Sequence, residues 1–302
     1  MSDRDELIDA VTRRVMAEIG GQGGGKAGAD RCPDCTGGCA ASCSEKVRTV
    51  MAEGAGRVSF RGRGADVPGD LAAYIDHTLL KPDATPADVD RVCDEAVRYR
   101  FAAVCFNPVW IRRAAARLQG SGVKVASVVG FPLGASAPRI KAAEARQALR
   151  DGAGEIDMVL NVGALKAGDY ELVERDVAGV ADACREVGAL CKVILETALL
   201  SDEEKVVASR LAKAARAHYV KTSTGFGPGG ATAYDVALMR EAVGAEMGVK
   251  ASGGIRTAEE ARQMIAAGAT RIGASAGVQM VSPPRSPQGD GKMTGGKSRE
   301  SY

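Results

Sequence analysis

Lys192 and Lys221 lie in two successive apolar segments, LCKVILET and YVKTSTGF, whose sequences are typical of short buried strands. A lysine inside a buried strand is costly unless its charge is paired or lost. Burial and a nearby positive charge both lower a lysine pKa, and a neutral amine is a nucleophile toward carbonyl carbon. The two lysines therefore predict an enzyme that forms a Schiff base with a carbonyl substrate.

A carboxylate and a third lysine belong to the same predicted group. Asp157 lies in the segment EIDMV and Lys250 in the segment VKASGG. Because side chains alternate along a strand and neighbouring strands lie about 4.8 Å apart, Asp157 meets the two lysines if their faces point into a barrel. An aspartate at that place can move protons, and Lys250 is expected to tune the local charge. For either lysine alone the competing interpretation is a salt bridge to a barrel carboxylate such as Glu155 or Glu196.

Glycine-rich segments follow the last two predicted strands, SGGIRT at 252–257 and RIGASAG at 271–277. In (β/α)₈ barrels the loops after strands 7 and 8 often bind phosphate through backbone N–H groups. Glycines at strand ends are also common as simple turns, so the prediction of a phosphorylated sugar depends on the lysines nearby. The candidate phosphate ligands are Gly225, Gly253, Gly254 and Ser275.

A strand-then-helix unit repeats along the chain from residue 71 onward. Eight apolar segments are predicted strands, and segments with helical spacing of apolar residues alternate with them. Thr85, Ser201 and Thr257 have the sequence context of helix N-caps. The pattern predicts an α/β protein with a closed (β/α)₈ TIM barrel, with an open doubly wound sheet as the alternative. The predicted strands are 73–79, 102–106, 124–130, 155–161, 190–196, 218–224, 248–252 and 271–275.

Composition narrows the class of protein. The 302 residues carry a net charge of +2, which disfavours a broad nucleic-acid-binding surface. No apolar run approaches the roughly 20 residues that span a bilayer, and the first residues lack the layout of a signal peptide. The two histidines disfavour a multi-histidine catalytic zinc site. We therefore expect a cytoplasmic protein that binds neither nucleic acid nor membrane.

Further segments flank the predicted barrel, which covers residues 71–281. Residues 1–20 fit an amphipathic helix, residues 21–70 a glycine-rich linker, and residues 282–302 a flexible tail that ends in Tyr302. The linker holds a dense cysteine cluster that suits one structural zinc or an iron–sulfur cluster, with redox pairing as the alternative. Its members are Cys32, Cys35, Cys39 and Cys43.

Several segments together resemble deoxyribose-phosphate aldolase, a family of class I aldolases. They read YIDHTLLKPDAT, AVCFNP, SVVGFPLG, GAGEIDMVLNVGALKAGD, CKVILET, YVKTSTGFGPGGAT and VKASGGIRT, followed by AGATRIGAS. The resemblance runs in the family's order between residues 71 and 277. It implies a (β/α)₈ barrel that needs no cofactor for catalysis. It also implies reversible cleavage of 2-deoxy-D-ribose 5-phosphate to D-glyceraldehyde 3-phosphate and acetaldehyde.

The resemblance implies a role for each residue of the predicted reactive group. Lys192 would be the Schiff-base nucleophile, and Lys221 would lower its pKa. Asp157 would relay protons through water during the carbinolamine and enamine steps. The four phosphate candidates named above would hold the phosphate group.

Other positions match parts of the family that surround the substrate. Tyr302 resembles the terminal tyrosine that, in some members, enters the site on a mobile tail and assists proton transfer. Four residues fall where the family lines its pocket, with barrel packing and turn formation as the alternative for each. They are Asp76, Thr78, Cys105 and Asn107.

The first 70 residues lie outside the matched barrel. A predicted helix followed by a glycine-rich linker resembles the encapsulation peptides that dock enzymes inside bacterial microcompartments. Residues 3–19 would bury their apolar stripe on a shell protein, and confinement would limit the loss of volatile acetaldehyde. The alternatives are an oligomerisation helix or a helix that packs on its own barrel.

Two other functions stay open at this point. One is a Schiff-base aldolase that acts on a different phosphorylated sugar. The other is a catalytically inactive barrel that serves as a scaffold. The expected assembly is a homodimer.

Overall fold

The structure, a computed structural model, describes residues 70–282. Within this range eight parallel strands close into a barrel, in which each strand pairs with the next and the last returns to the first. Helices lie between the strands along the chain. The predicted (β/α)₈ TIM barrel is confirmed, and the open doubly wound sheet is not the fold.

Strands and helices alternate through the whole described range. The strands are β1 Ile75–Leu79, β2 Ala103–Phe106, β3 Lys124–Val129, β4 Glu155–Val159, β5 Leu190–Ile194, β6 Tyr219–Lys221, β7 Gly248–Ser252 and β8 Arg271–Ala274. The α-helices are α1 Pro86–Tyr99, α2 Ile111–Arg117, α3 Pro138–Arg150, α4 Val162–Lys166, α5 Tyr170–Arg185, α6 Asp202–Ala214, α7 Ala233–Val243, α8 Ala258–Ala266 and α9 Gly277–Val281. Short 3₁₀ helices lie at Ala72–Tyr74, Pro108–Trp110 and Thr197–Leu199.

Three helices begin at the caps that the sequence predicts. The hydroxyls of Thr85, Ser201 and Thr257 each accept a hydrogen bond from the backbone N–H of the third helical residue. The acidic side chain of that third residue accepts one from the backbone N–H of the cap in return. Each such cap stabilises its helix by about 1 kcal/mol, which fixes where α1, α6 and α8 start.

The apolar core lies between the strands and the surrounding helices. Val104, Val193, Val220 and Val249, one from each of four strands, are fully buried in it. Because side chains alternate along a strand, the residues immediately before and after each of these valines point toward the barrel axis. Barrel interiors are usually filled by branched apolar side chains. In this barrel several inward positions carry charges instead, and those charges form the site described below.

Several elements differ from the sequence prediction. β1 begins two residues later than predicted, at Ile75, and β4 and β5 each end two residues earlier, at Val159 and Ile194. β6 ends at Lys221 rather than at residue 224, because Thr222 turns its hydroxyl to the carbonyl of Ser252 and the chain then leaves the sheet as a loop. α4 and α9 were not predicted; the side chain of Asn161 caps the first turn of α4. In the described range no helix is long and apolar enough to cross a bilayer.

Some predicted features lie outside the described residues. These are the amphipathic helix of residues 1–20, the cysteine cluster of the linker and the tail that ends in Tyr302. The cysteines within the described range are free and buried. They are Cys93, Cys105, Cys184 and Cys191.

Candidate active site

Asp157 lies at the centre of a buried ion cluster on the barrel axis. Its Oδ1 accepts a hydrogen bond from Nζ of Lys192 at 2.7 Å. Its Oδ2 accepts hydrogen bonds from Nζ of Lys221 and Nζ of Lys250, each at 2.8 Å. The parallel register places these residues side by side, with Asp157 opposite Lys192 and Lys221 opposite Lys250. The alternation of side chains along β4 to β7 thus brings the three lysines to one carboxylate.

Further charges complete the cluster. Nζ of Lys192 lies 2.5 Å from a carboxylate oxygen of Glu155, so the salt bridge considered as the competing interpretation for this lysine is present. Nζ of Lys250 lies 2.5 Å from Asp76, and Arg271 contacts both Asp76 at 2.6 Å and Glu155 at 3.3 Å. The cluster therefore holds four basic side chains and three carboxylates, so the basic groups outnumber the carboxylates by one.

The charges around Lys192 contradict the expectation that its pKa is lowered. Burial alone would lower that pKa, but the carboxylates of Asp157, Glu155 and Asp76 outweigh burial and hold it well above its ordinary value. The side chain is fully buried. An ammonium group enclosed in this way is a poor nucleophile, because its lone pair carries a proton.

Lys221 is the lysine whose pKa is lowered. Burial lowers it, the carboxylate of Asp157 opposes that shift, and the neighbouring charge of Lys250 lowers it further. The pKa of Lys250 is raised, because its two carboxylates, Asp157 and Asp76, outweigh the effect of burial. The lowered pKa therefore belongs to Lys221, beside Lys250 with its raised pKa, whereas the sequence prediction placed the lowered pKa on Lys192.

A cavity of about 280 Å³ opens at the carboxyl-terminal end of the strands. Of the three buried lysines in the described ion cluster, Lys221 lines this cavity, whereas Lys192 and Lys250 are fully buried and do not line it. TIM-barrel enzymes place their active sites at this end of the barrel. Lys221 is therefore the amine of the cluster that a substrate in the cavity can reach.

The loops around the cavity contain all four predicted phosphate candidates. Gly225, Gly253, Gly254 and Ser275 line it, as does Thr78. The backbone of Gly253 has a φ of 90°. A Cβ there would lie 3.0 Å from Cα of Gly230, so glycine allows two loops to pack backbone against backbone at the rim.

Two cations at the rim were missed by sequence reasoning. Lys81, just after β1, and Arg256, just after β7, both line the cavity and are exposed. The one sequence feature that could have indicated them is their position, since each lies shortly after the carboxyl end of a barrel strand. Together with the glycine loops they make the rim positively charged and rich in small backbone turns, which suits a phosphate group.

The remaining predicted pocket residues lie outside the cavity. Asp76 belongs to the ion cluster, where Lys250, Lys192 and Arg271 overcome the effect of burial and lower its pKa to about 2. Cys105 is buried beside the cluster, and burial raises its pKa to about 11. The amide of Asn107 donates to the carbonyl of Leu80 at 3.1 Å, which is the turn-forming alternative. In the described range no group of three or more histidine, cysteine or acidic residues could hold a metal ion.

Comparison with known proteins assigns the family. Residues 71–282 match the model of the DeoC/LacD family of aldolases. The chain belongs to this family. This aldolase is 59% identical over 212 residues to a deoxyribose-phosphate aldolase from Brevibacillus brevis, covering 70% of this chain and 95% of that relative. It is 58% identical over 218 residues to one from Thermococcus gammatolerans, covering 72% and 97%.

Solved structures agree with the sequence relatives. The tetrameric deoxyribose phosphate aldolase from Aeropyrum pernix superposes on this aldolase with a TM-score of 0.65 at 35% identity. The match covers 78% of this chain and 96% of that one. The family uses class I aldolase chemistry, in which the substrate forms a covalent imine with a lysine and no cofactor is needed. The buried lysine cluster is the part of this aldolase that fits such chemistry.

Proposed function

We propose that this chain is a deoxyribose-phosphate aldolase in which Lys221 forms the Schiff base. The observation that carries the proposal is the position of Lys221, a lysine of lowered pKa that lines a cavity whose rim is cationic and glycine-rich. The substrate is 2-deoxy-D-ribose 5-phosphate, with its aldehyde at the lysine and its phosphate at the rim. The names of the relatives at 55–59% identity support this choice of substrate.

The first half of the proposed reaction builds the imine. The neutral amine of Lys221 attacks C1 of the open-chain sugar and forms a carbinolamine, which loses water to give a protonated imine. Lys250 stays charged, because its own two carboxylates hold its proton. Its charge disfavours reprotonation of Lys221 before the attack.

The second half breaks the carbon–carbon bond. The C3 hydroxyl loses its proton, the C2–C3 bond breaks, and its electron pair moves into the imine to give an enamine while glyceraldehyde 3-phosphate leaves. Protonation of the enamine carbon and hydrolysis then release acetaldehyde and the free lysine. Asp157 is the proposed proton relay, since its Oδ2 contacts both Lys221 and Lys250 at 2.8 Å.

Product analysis separates the proposal from its alternatives. The protein is incubated with 2-deoxyribose 5-phosphate, and acetaldehyde is measured with an alcohol dehydrogenase assay. Acetaldehyde formation is the expected result. Turnover of other phosphorylated sugars without acetaldehyde would favour a different Schiff-base aldolase. No turnover of any sugar phosphate by folded protein would favour the inactive scaffold.

We also propose that this aldolase works in the cytoplasm, docked inside a bacterial microcompartment through residues 3–19. The support is the apolar stripe of that segment and the volatility of acetaldehyde. Fusion of residues 1–20 to a fluorescent protein, co-expressed with shell proteins, is expected to give shell-localised fluorescence. A Val11→Asp change in the stripe should disperse it, and dispersed fluorescence with the unchanged segment would contradict the proposal.

Two further assignments outside the described residues stay proposals. Tyr302 is proposed to assist protonation of the enamine carbon, and Tyr302→Phe should lower kcat without preventing imine formation. The cysteine cluster at Cys32, Cys35, Cys39 and Cys43 is proposed to bind a structural zinc ion or an iron–sulfur cluster. Metal analysis of the protein as isolated, compared with a variant that carries serine at all four positions, tests this; equal metal content would contradict it.

The proposed assembly is a homodimer. The Aeropyrum pernix relative is a tetramer, so a larger assembly is the main competing outcome. Light scattering on the full chain is expected to give twice the chain mass of 31.2 kDa, and a fourfold mass would contradict the dimer.

A further inference from the structure

Glu196 has a strained backbone at the edge of the candidate site. It follows β5 with φ 57° and ψ 61°, which is the left-handed region. For a residue with a Cβ this conformation costs roughly 1 kcal/mol or more. Residues with such backbone strain cluster at functional sites. The side chain is nevertheless buried, with 4% of its surface exposed. Interactions of the Glu196 side chain must therefore offset the backbone strain and the desolvation of its carboxylate.

The carboxylate of Glu196 holds the loop that follows β6. It accepts hydrogen bonds from the backbone N–H of Thr224, at 3.3 and 3.4 Å to its two oxygens, and from the Thr224 hydroxyl. The Thr224 hydroxyl in turn accepts from the backbone N–H of Phe226 at 3.0 Å. In the described range, both hydrogen-bond donors to this carboxylate thus belong to Thr224. The Thr224 hydroxyl also fixes the backbone of Phe226 through the hydrogen bond that it accepts.

The held segment is part of the cavity wall. Thr224, Gly225 and Phe226 all line the cavity. The next residue, Gly227, rests against the carboxylate so closely that a Cβ there would lie 2.9 Å from its carbon. The backbone of Gly225 has a φ of 86°. The loop therefore follows a tight path whose shape depends on the Glu196 carboxylate beneath it.

We propose that Glu196 is a positioning residue, which fixes the loop of residues 224–227 in the conformation that receives the phosphate-bearing end of the substrate. The proposal rests on the function proposed above. Glu196 acts as a hydrogen-bond acceptor and not through its charge, because its partners are a backbone N–H and a hydroxyl. A glutamine can supply the same acceptor, and an alanine cannot.

The test separates phosphate binding from imine chemistry. For Glu196→Ala we expect the KM for 2-deoxyribose 5-phosphate to rise roughly tenfold or more, the loss expected when buried hydrogen-bond donors are left without their acceptor. The kcat/KM for unphosphorylated 2-deoxyribose and the rate of borohydride trapping with acetaldehyde should change by less than about twofold. Glu196→Gln should keep the KM of the unchanged protein within the same limit.

If Glu196→Ala disturbs folding, a second variant, Gly227→Ala, still tests the positioning role of Glu196. Gly227→Ala places a methyl group against the Glu196 carboxylate and should raise the same KM. In the Glu196→Ala background the methyl group has no carboxylate to meet, so the two effects should combine to much less than their product.

Three outcomes would overturn the positioning role. They are an equal loss on phosphorylated and unphosphorylated sugar, a Glu196→Gln variant as impaired as Glu196→Ala, and fully multiplicative effects in the double variant. Failure of the unchanged protein to trap acetaldehyde or to cleave the phosphorylated sugar is a different result. It would contradict the proposed function and not the role of Glu196 alone.

Discussion

Lys221 and Lys250 donate hydrogen bonds to the same oxygen of Asp157, each at 2.8 Å. Two ammonium groups that share one acceptor repel each other, and loss of one proton relieves that repulsion. Lys250 has a second carboxylate, Asp76, at 2.5 Å, whereas Lys221 faces the cavity. Lys221 is therefore the lysine of this pair that gives up a proton more easily, and it lines the cavity.

Removal of the Lys250 charge should move the pH dependence of imine formation. In Lys250→Met the like charge beside Lys221 is gone, so the Lys221 pKa rises toward the ordinary lysine value of about 10.4. Because the neutral amine is the reactive form, activity is lost as pH falls through that pKa, and the acid limb of the profile should shift to higher pH. The measurement is the rate of borohydride trapping with acetaldehyde against pH.

A matched control uses a lysine outside the cluster. Lys124 lies exposed at the start of β3, and Lys124→Met should leave the profile in place. An unshifted acid limb in Lys250→Met would show that Lys250 does not set the Lys221 pKa.

Lys192 should matter for stability more than for the covalent step. Lys192→Met removes one of the two basic partners of Glu155 and one of the three of Asp157, and leaves buried carboxylates undercompensated. Breaking a buried ion pair in this way costs about 3–5 kcal/mol in the free energy of unfolding. Urea unfolding should show that loss, while mass mapping after trapping should still find the adduct on Lys221.

Lys221→Met is the matched comparison for Lys192→Met. It should abolish trapping while the barrel stays folded, because Asp157 keeps Lys192 and Lys250 as partners. If instead Lys192→Met abolished trapping in folded protein and Lys221→Met did not, the two roles would be reversed.

Arg256 should contribute to phosphate binding at the rim. It lines the cavity and is exposed, so Arg256→Gln should raise the KM for the phosphorylated sugar by roughly tenfold at low salt and by less at high salt. The KM for unphosphorylated 2-deoxyribose should not change. Arg150→Gln, at the exposed end of α3, serves as the control. An equal effect of Arg256→Gln on both sugars would contradict a contact with phosphate.

Local sequence rules were sufficient for the fold. Strand alternation and helix spacing are short-range patterns, and capping at Thr85, Ser201 and Thr257 involves residues three apart. The same alternation places Asp157 and the lysines on inward faces. These features could be predicted because each depends on neighbours in the chain or on neighbouring strands.

The identity of the lysine whose pKa is lowered could not be predicted in the same way. It depends on charges that meet across the barrel: Arg271 contacts Asp76, which is 195 residues away in sequence, as well as Glu155. The balance of these charges raises the pKa of Lys192 and leaves the pKa of Lys221 lowered. The rim cations are likewise set by how far each loop reaches, which the sequence pattern does not fix.

The most direct test is borohydride trapping of the unchanged protein with acetaldehyde, followed by peptide mass mapping. An aldehyde-derived adduct on Lys221 is the predicted result, since this amine has the lowered pKa and faces the cavity. An adduct on Lys192 would contradict the account, because it would require a fully buried ammonium group held by three carboxylates to act as the nucleophile.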